Sequence, residues 1–168
     1  PVFGDDGGAY ARPGVADAMA RDLLPLADIV TPNRFELAAL AERRVEDAPS
    51  AVAAARTLRR PLVLATSVPC GEPIGTAAVT PRNAWIATAS RVASPPSGTG
   101  DLLAALFLAH LLAGARIPDA LGRSAAAVDA FVRANEGAKD VALVAGQDFL
   151  VSDVSLAVSA IDQNAFQI

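Results

Sequence analysis

The chain has 168 residues, which suits one domain with a sizeable core, and we predict a single domain over 1–168. Its 14 basic and 18 acidic side chains give a net charge of −4, and no basic cluster exceeds two adjacent arginines, which argues against a nucleic-acid partner. Although 52% of the residues are hydrophobic, the longest apolar run, 102–115, is too short to span a bilayer and predicts a buried helix.

Cysteine use and the first residues indicate the compartment and the origin of the chain. Cys70 is the single cysteine, so we expect neither disulfides nor a cysteine metal site. No charged segment precedes an apolar one at the start, so we expect a cytoplasmic protein without a membrane partner. The chain opens on Pro-Val-Phe-Gly without methionine, so we expect it to have been excised from something longer.

The first part of the chain alternates predicted helices and strands. A glycine-rich loop at 4–8 follows a short strand end. Asn33, followed three residues later by Glu36, is typical of a helix start. Helices are predicted at 15–24, 37–41 and 50–60, and strands at 28–31 and 62–66.

The second part predicts a hairpin, two helices and a last strand. The hairpin strands are 76–80 and 85–88, the helices are 102–115 and 119–135, and the last strand is 141–144. Alternating strands and helices indicate an α/β fold with a mostly parallel sheet and helices on both faces.

Polar clusters follow three of the predicted strands. They are Gly4-Asp5, Thr31-Pro32-Asn33 and Thr66-Ser67. Because ligands of open α/β sheets bind at the carboxyl ends of the strands, we expect these clusters to share one rim.

The segment Ser97-Gly98-Thr99-Gly100-Asp101 opens the long apolar helix and has two interpretations. Thr99 and Asp101 are residue types that start helices and complement the helix dipole. Alternatively, Gly98 and Gly100 let backbone amides approach a phosphate, with Asp101 beside it as a base for an attacking hydroxyl. The Asn33/Glu36 pair is likewise either a capping box or an acceptor for metal-bound water.

Four segments together resemble one known family. They are PVFGDDGGAY, TPNRFELAAL, LVLATS and SGTGDLLAALFLAHLLAG, in this order and at this spacing. They resemble the pyridoxal kinases of the ribokinase-like superfamily over nearly the whole chain, with the first strands of that fold missing. TPNxFE combined with GTGD is far more specific than GTGD alone.

The resemblance implies ATP-dependent phosphorylation of the 5'-hydroxymethyl group of pyridoxal, pyridoxine or pyridoxamine, which gives pyridoxal 5'-phosphate. It implies that Asp101 is the base and that Gly98, Thr99 and Gly100 form an anion hole. It also implies a Mg²⁺ ion, a monovalent cation (K⁺ or Na⁺) and a homodimer. The implied ATP-binding residues are Tyr10, Thr66, Ser67, Val92, Ala93 and Ser94, and the implied metal-site residues are Asp5, Thr31 and Glu36.

Other functions stay open. The nearest rival is a hydroxymethylpyrimidine kinase of thiamine synthesis, but those enzymes usually carry a cysteine where this chain has Asp101. A ribokinase-like sugar kinase is a third possibility. The chain could also be a nucleotide-binding fragment, inactive alone because the substrate-gripping segment is absent.

Overall fold

The chain folds around a five-stranded sheet, as the computed structural model shows for residues 2–139, 143–144, 146–151 and 153–161. The strands are β1 (Gly4–Asp5), β2 (Gly8–Ala9), β3 (Ile29–Val30), β4 (Leu62–Pro69), β5 (Ile74–Val79), β6 (Ala84–Ala89) and β7 (Val158–Ala160). The α-helices are α1 (Val15–Ala18), α2 (Arg34–Ala41), α3 (Ala48–Thr57), α4 (Thr99–Leu112) and α5 (Ile117–Ala134).

The main sheet has the order β3-β4-β5-β6-β7, and β1 and β2 form a separate two-stranded hairpin. Only the β3–β4 pair is parallel, whereas the other three pairs are antiparallel. The described sheet is therefore mixed, which corrects the expectation of a mostly parallel one. The reason is that short turns join β4 to β5 and β5 to β6, and such turns can only join antiparallel strands. The parallel pair is joined through α2 and α3.

Strand β4 is buried on both faces and separates two hydrophobic clusters. Val63 and Ala65 pack on one face, in the cluster that contains the buried side chains of α2 and α3. Leu62 and Leu64 pack on the other face, with Leu103 and Phe107 of α4 and the alanines of α5. Because successive strand residues point to opposite faces, this continuous apolar run needs helices on both sides. The α/β class with helices on both faces is confirmed.

Two capping boxes fix where helices α2 and α3 begin. The Asn33 side chain accepts a hydrogen bond from the Glu36 amide (2.9 Å), and Glu36 Oε2 accepts one from the Asn33 amide (3.2 Å). Asp47 and Ser50 do the same for α3, and hydrogen bonds from Ser50 lower the pKa of Asp47. The capping interpretation of Asn33 and Glu36 is thus confirmed, with α2 starting at Arg34.

The predicted elements are otherwise found with shifted ends. The helix expected at 15–24 begins as α1 and continues through a π-helical turn (Met19–Leu23) and a 3-10 turn (Leu24–Leu26). Of the strand expected at 141–144, residues 141–142 lie outside the described residues and 143–144 form a turn. Strand β7, which pairs with β6, was not predicted.

The apolar run expected to be a buried helix is buried only on one side in α4. Leu103 and Phe107 are almost inaccessible, whereas Leu108 and Leu112 are exposed. None of the helices in the described part of the chain combines the length and hydropathy that crossing a bilayer requires.

Leu64→Ala tests the two-sided burial of β4. Leu64 is fully buried, so the substitution leaves a cavity and should lower the free energy of unfolding by about 2 to 5 kcal/mol. Leu112→Ala is the matched control, because that leucine is 79% exposed and its loss should change stability by less than about 0.5 kcal/mol. Urea unfolding of both variants measures the difference, and equal losses would contradict this packing.

Candidate active site

A cleft of about 470 Å³ lies at the carboxyl ends of β3 and β4. Its polar end is lined by the loop after β1, by the start of α2, by the end of β4 and by the first turn of α4. These lining residues include Asp5, Asp6, Gly7, Asn33, Arg34, Thr66, Ser67, Thr99 and Gly100. The expectation that the polar clusters share one rim is confirmed for Asp5, Asn33, Thr66 and Ser67.

The remaining lining of the cleft is mostly apolar, but it also includes Gly75, Thr76, Thr88, Ser90, Arg91 and Asp129. Strands β5 and β6 supply part of its wall, and Leu103 of α4 and one face of α5 supply the rest. Its apolar lining residues are Ile74, Ala87, Ala89, Val92, Pro95, Leu103, Ala125, Val128, Val132 and Leu156. A ligand with an apolar body and a polar or anionic group would fit a cleft with such a mixed lining.

The first turn of α4 presents backbone donors at the polar end. Gly98 is the N-cap with φ 91°, a left-handed conformation that favours glycine, and no side chain caps this helix. The first intrahelical bond runs from the Leu102 amide to the Gly98 carbonyl (3.0 Å). The amides of Thr99, Gly100 and Asp101 therefore have no acceptor within the helix, and they add to its positive dipole end. This is the geometry that binds phosphate groups.

Asp101 is exposed in the same turn but does not line the cleft itself. Its carboxylate is nevertheless close enough to Tyr10 to interact electrostatically with the phenol. Burial raises the pKa of the Tyr10 phenol, and the carboxylates of Glu36, Asp5 and Asp101 raise it further. The N-terminal loop and the start of α4 thus lie on the same side of the molecule.

A bulge at the end of β4 brings Thr66 and Ser67 to the rim. Ala65 pairs with Ala77 and Val68 pairs with Gly75, so two residues of β4 face one residue of β5. Ser67 has φ 58°, which is uncommon for a residue with a side chain. Bulges of this kind redirect side chains next to ligand sites. The Thr66 amide also donates to the Pro32 carbonyl (3.0 Å), which extends the contact between β4 and the β3 segment.

The buried Glu36 carboxylate ties the N-terminal segment to α2. Its Oε1 accepts hydrogen bonds from the amides of Val2 and Phe3 (3.0 Å to Phe3), while Oε2 accepts the capping bond from Asn33. Asn33 Nδ2 donates to the Gly4 carbonyl (2.7 Å). These bonds fix the backbone just before Asp5 and so place that carboxylate at the cleft.

The three residues predicted for the metal site are not gathered at one point. Asp5 lines the cleft, whereas Thr31 and Glu36 line a smaller cavity of about 200 Å³ beneath the N-terminal segment. Among the residues that the structure describes, no group of three His, Cys, Asp or Glu side chains could hold a metal ion.

The predicted nucleotide contacts are also divided. Val92 lines the apolar part of the cleft, but Ala93 and Ser94 do not, and the Ser94 carbonyl accepts a hydrogen bond from the Gly137 amide (3.1 Å). Tyr10 is 56% exposed and lies outside the cleft lining.

An ion pair between Arg34 and Asp6 was missed by the sequence reasoning. Arg34 Nη2 lies 2.7 Å from Asp6 Oδ1, and both residues line the polar end of the cleft. Arg34 stands inside the TPNRFE segment, where an arginine beside polar strand ends could have drawn attention as an anion ligand. Arg91 adds a second guanidinium to the lining.

Comparisons with known proteins identify the family of this chain. The sequence model of the family described as phosphomethylpyrimidine kinase matches residues 1–143. The chain therefore belongs to the phosphomethylpyrimidine kinase family.

Curated relatives in this comparison are pyridoxal kinases. Pyridoxal kinase PdxY of Rubrobacter xylanophilus is 39% identical over 163 residues, which cover 90% of this chain and 56% of that protein. The pyridoxine/pyridoxal/pyridoxamine kinase of Bordetella bronchiseptica is 37% identical over 155 residues, or 87% of this chain and 55% of that protein. The chain thus spans about half the length of the curated relatives it matches.

Solved structures share the fold. The pyridoxal kinase of Entamoeba histolytica superposes with a TM-score of 0.87 at 24% identity, covering 96% of this chain and 60% of that one. The pyridoxal kinase of Leishmania donovani in complex with ADP and pyridoxamine gives a TM-score of 0.84 at 21% identity, covering 95% and 60%.

Glu36→Gln tests the role of this carboxylate in holding the N-terminal segment. A glutamine can present only one acceptor oxygen, so at least one backbone amide loses its partner, at a cost of about 1 to 3 kcal/mol in unfolding free energy. Amide exchange at Val2 and Phe3 should accelerate. Glu42→Gln at the exposed end of α2 is the control and should change neither quantity. Unchanged stability and exchange in Glu36→Gln would show that the network contributes nothing.

Proposed function

We propose that the chain forms the ATP-binding and catalytic part of a pyridoxal kinase. In this reaction, the γ-phosphoryl group of ATP passes to the 5'-hydroxymethyl group of pyridoxal, pyridoxine or pyridoxamine. The observation that carries the proposal is the uncapped, glycine-flanked N-terminus of α4 at the polar end of a cleft whose remaining lining is mostly apolar. The names of the curated relatives support the substrate, and the ADP in a structural relative supports the nucleotide.

The polyphosphate would bind at the polar end. The amides of Thr99 and Gly100 and the rim positions Thr66 and Ser67 would hold its oxygens, in keeping with the anion hole expected at 98–100. Transfer of a phosphoryl group depends mainly on positioning and on neutralising charge, which fixed backbone amides can supply. The adenine would lie in the apolar part, where Val92 contributes to the wall.

Asp101 would be the general base. As the vitamer hydroxyl oxygen bonds to the γ-phosphorus, the bond from that phosphorus to the ADP oxygen breaks, and the hydroxyl proton passes to the Asp101 carboxylate. The carboxylate is the form of this side chain that can accept the proton. The same turn thus holds the base and the amide donors next to each other.

The chemistry of the rim suits a divalent cation. Asp5 and Asp6 line the polar end, and Asp101 lies nearby, so a polyphosphate entering there would meet negative charge. Mg²⁺ is commonly bound by one or two carboxylates together with substrate phosphates, and Asp5 is the carboxylate that we assign to it. When bound, Mg²⁺ neutralises phosphate charge. Glu36 then acts by placing the Asp5 loop, while the metal-site role of Thr31, the monovalent cation, the homodimer and the cytoplasmic location stay predictions.

We expect most residues that contact the vitamer to lie in polypeptide outside residues 1–168. Since the chain spans about half of each curated relative, we assign to it the nucleotide side and the base, and we expect low turnover by this chain alone. A hydroxymethylpyrimidine kinase is the alternative, because the matching family model carries that substrate class in its description. Asp101 in place of the cysteine usual in those enzymes favours pyridoxal, and turnover of pyridoxal against hydroxymethylpyrimidine separates the two.

Asp101→Asn tests the general-base role of this residue. The substitution is made in the longest natural polypeptide that contains residues 1–168. The substitution keeps the size of the side chain and removes its charge, so kcat with pyridoxal should fall about 10²- to 10⁴-fold. The Kd for Mg-ATP should change little, because the amide donors are backbone groups. Asp17→Asn, at an exposed position in the first turn of α1, is the matched control and should keep normal turnover. A kcat within about threefold of the unsubstituted enzyme, a barrier change of only ~0.7 kcal/mol, would leave Asp101 with no role beyond its charge near the helix N-terminus.

A further inference from the structure

A third cavity, separate from the two already described, lies at the end of the sheet opposite to the cleft. It has a volume of about 450 Å³ and lies between the C-terminal end of α3 and the end of β5. We call it the arginine pocket, and its lining residues are Ala55, Arg56, Arg59, Arg60, Pro61, Val79, Thr80 and Pro81. The cleft is lined instead by the far end of β4 and the start of β5, so the two cavities share no residue.

Arg56 lacks hydrogen-bond acceptors in this pocket. Its Nε and Nη2 atoms are buried, and neither has a hydrogen-bond partner. An arginine stays charged at all relevant pH values, and a buried donor without an acceptor is costly. The position therefore calls for an acceptor that the described protein groups do not provide.

The other two guanidiniums keep the pocket positive. Arg60 donates through Nη1 to the Pro25 carbonyl (2.7 Å) and through Nε to the Leu58 carbonyl (3.2 Å), so neutral groups hold its side chain in place. Within the described residues, none of the three pocket arginines lies within ion-pair distance of a carboxylate, whereas five other arginines do. Those five are Arg21, Arg34, Arg44, Arg116 and Arg133.

Positive charge is thus concentrated at one place on a chain whose net charge is −4. Residues 55–61 and 79–83, which form the pocket and its rim, contain no Asp or Glu. A site with several arginines and no acid attracts anions and disfavours cations.

We propose that the arginine pocket binds an oxyanion of the phosphate class attached to a small apolar body. The planar fork of guanidinium donors matches phosphate oxygens, and the donors of Arg56 would gain the acceptors they lack. The volume exceeds what inorganic phosphate needs. Ala55, Pro61, Val79 and Pro81 provide the apolar wall against which the body of a phosphomonoester would pack.

Calorimetric titration of the 168-residue chain with phenyl phosphate, at constant ionic strength, tests the proposal. Arg56→Gln and Arg59→Gln should each raise the Kd by at least about fivefold, because each removes a charged donor. Arg59 is exposed, so its variant keeps the test valid even if the change at Arg56 disturbs folding. Arg43→Gln, an exposed arginine outside the pocket, is the matched control and should bind as the unsubstituted chain does.

Two further measurements distinguish binding at the arginine pocket from binding at the cleft, and preference for phosphate from preference for other anions. The cleft also suits a small body with an anionic group, so phenyl phosphate is expected to enter both sites. Thr66→Val should weaken binding only at the cleft, whereas Arg56→Gln and Arg59→Gln should weaken it only at the arginine pocket, so the pocket result does not depend on the proposed kinase function. Inorganic phosphate should bind more weakly than phenyl phosphate, and benzoate more weakly still. The proposal is overturned if the chain does not bind phenyl phosphate, if Thr66→Val rather than the pocket variants weakens binding, or if benzoate binds equally well.

Discussion

Strand β4 is the constraint on which the core and the site both depend. Its residues 62–65 are almost fully buried and point alternately to the two helical layers, so neither layer can pack without it. Directly after this stretch, the bulge at Thr66 and Ser67 interrupts the ladder with β5. The strand therefore changes from core to cleft lining within one residue, and a one-residue slip in its register would exchange the two faces.

The polar end of the cleft depends on a second set of bonds, which join distant parts of the chain. Glu36 and Asn33 start α2 and at the same time hold residues 2–4, so one pair of side chains serves the helix and the loop that carries Asp5. Phe35 packs against the same segment, since a Cβ on Gly4 would lie 2.2 Å from its ring. Capping and assembly of the Asp5 loop are thus the same interaction here, while the role of Glu36 as an acceptor for metal-bound water stays a prediction.

Local patterns were sufficient to predict much of this architecture. The Asn33 and Glu36 spacing predicted the start of α2, and the apolar run at 62–66 predicted a buried strand. Both succeeded because helix caps and buried strands produce sequence patterns that span only a few residues. Contacts between residues far apart in the chain produce no such local pattern. The bonds from Glu36 to Val2 and Phe3, and the ion pair between Arg34 and Asp6, join residues about thirty positions apart. The pairing of β7 with β6 also depends on tertiary contacts.

The proposed nucleotide site requires that phosphate binds at the start of α4 and at the β4 bulge. Titration of the isotope-labelled 168-residue chain with Mg-ADP, followed by the chemical shifts of backbone amides, tests this most directly. We expect saturable shifts at Thr66, Ser67, Thr99, Gly100 and Asp101, with smaller changes along the apolar part of the cleft. Absence of saturable shifts at these amides, or shifts confined to another surface, would contradict the assignment of the cleft as the nucleotide site.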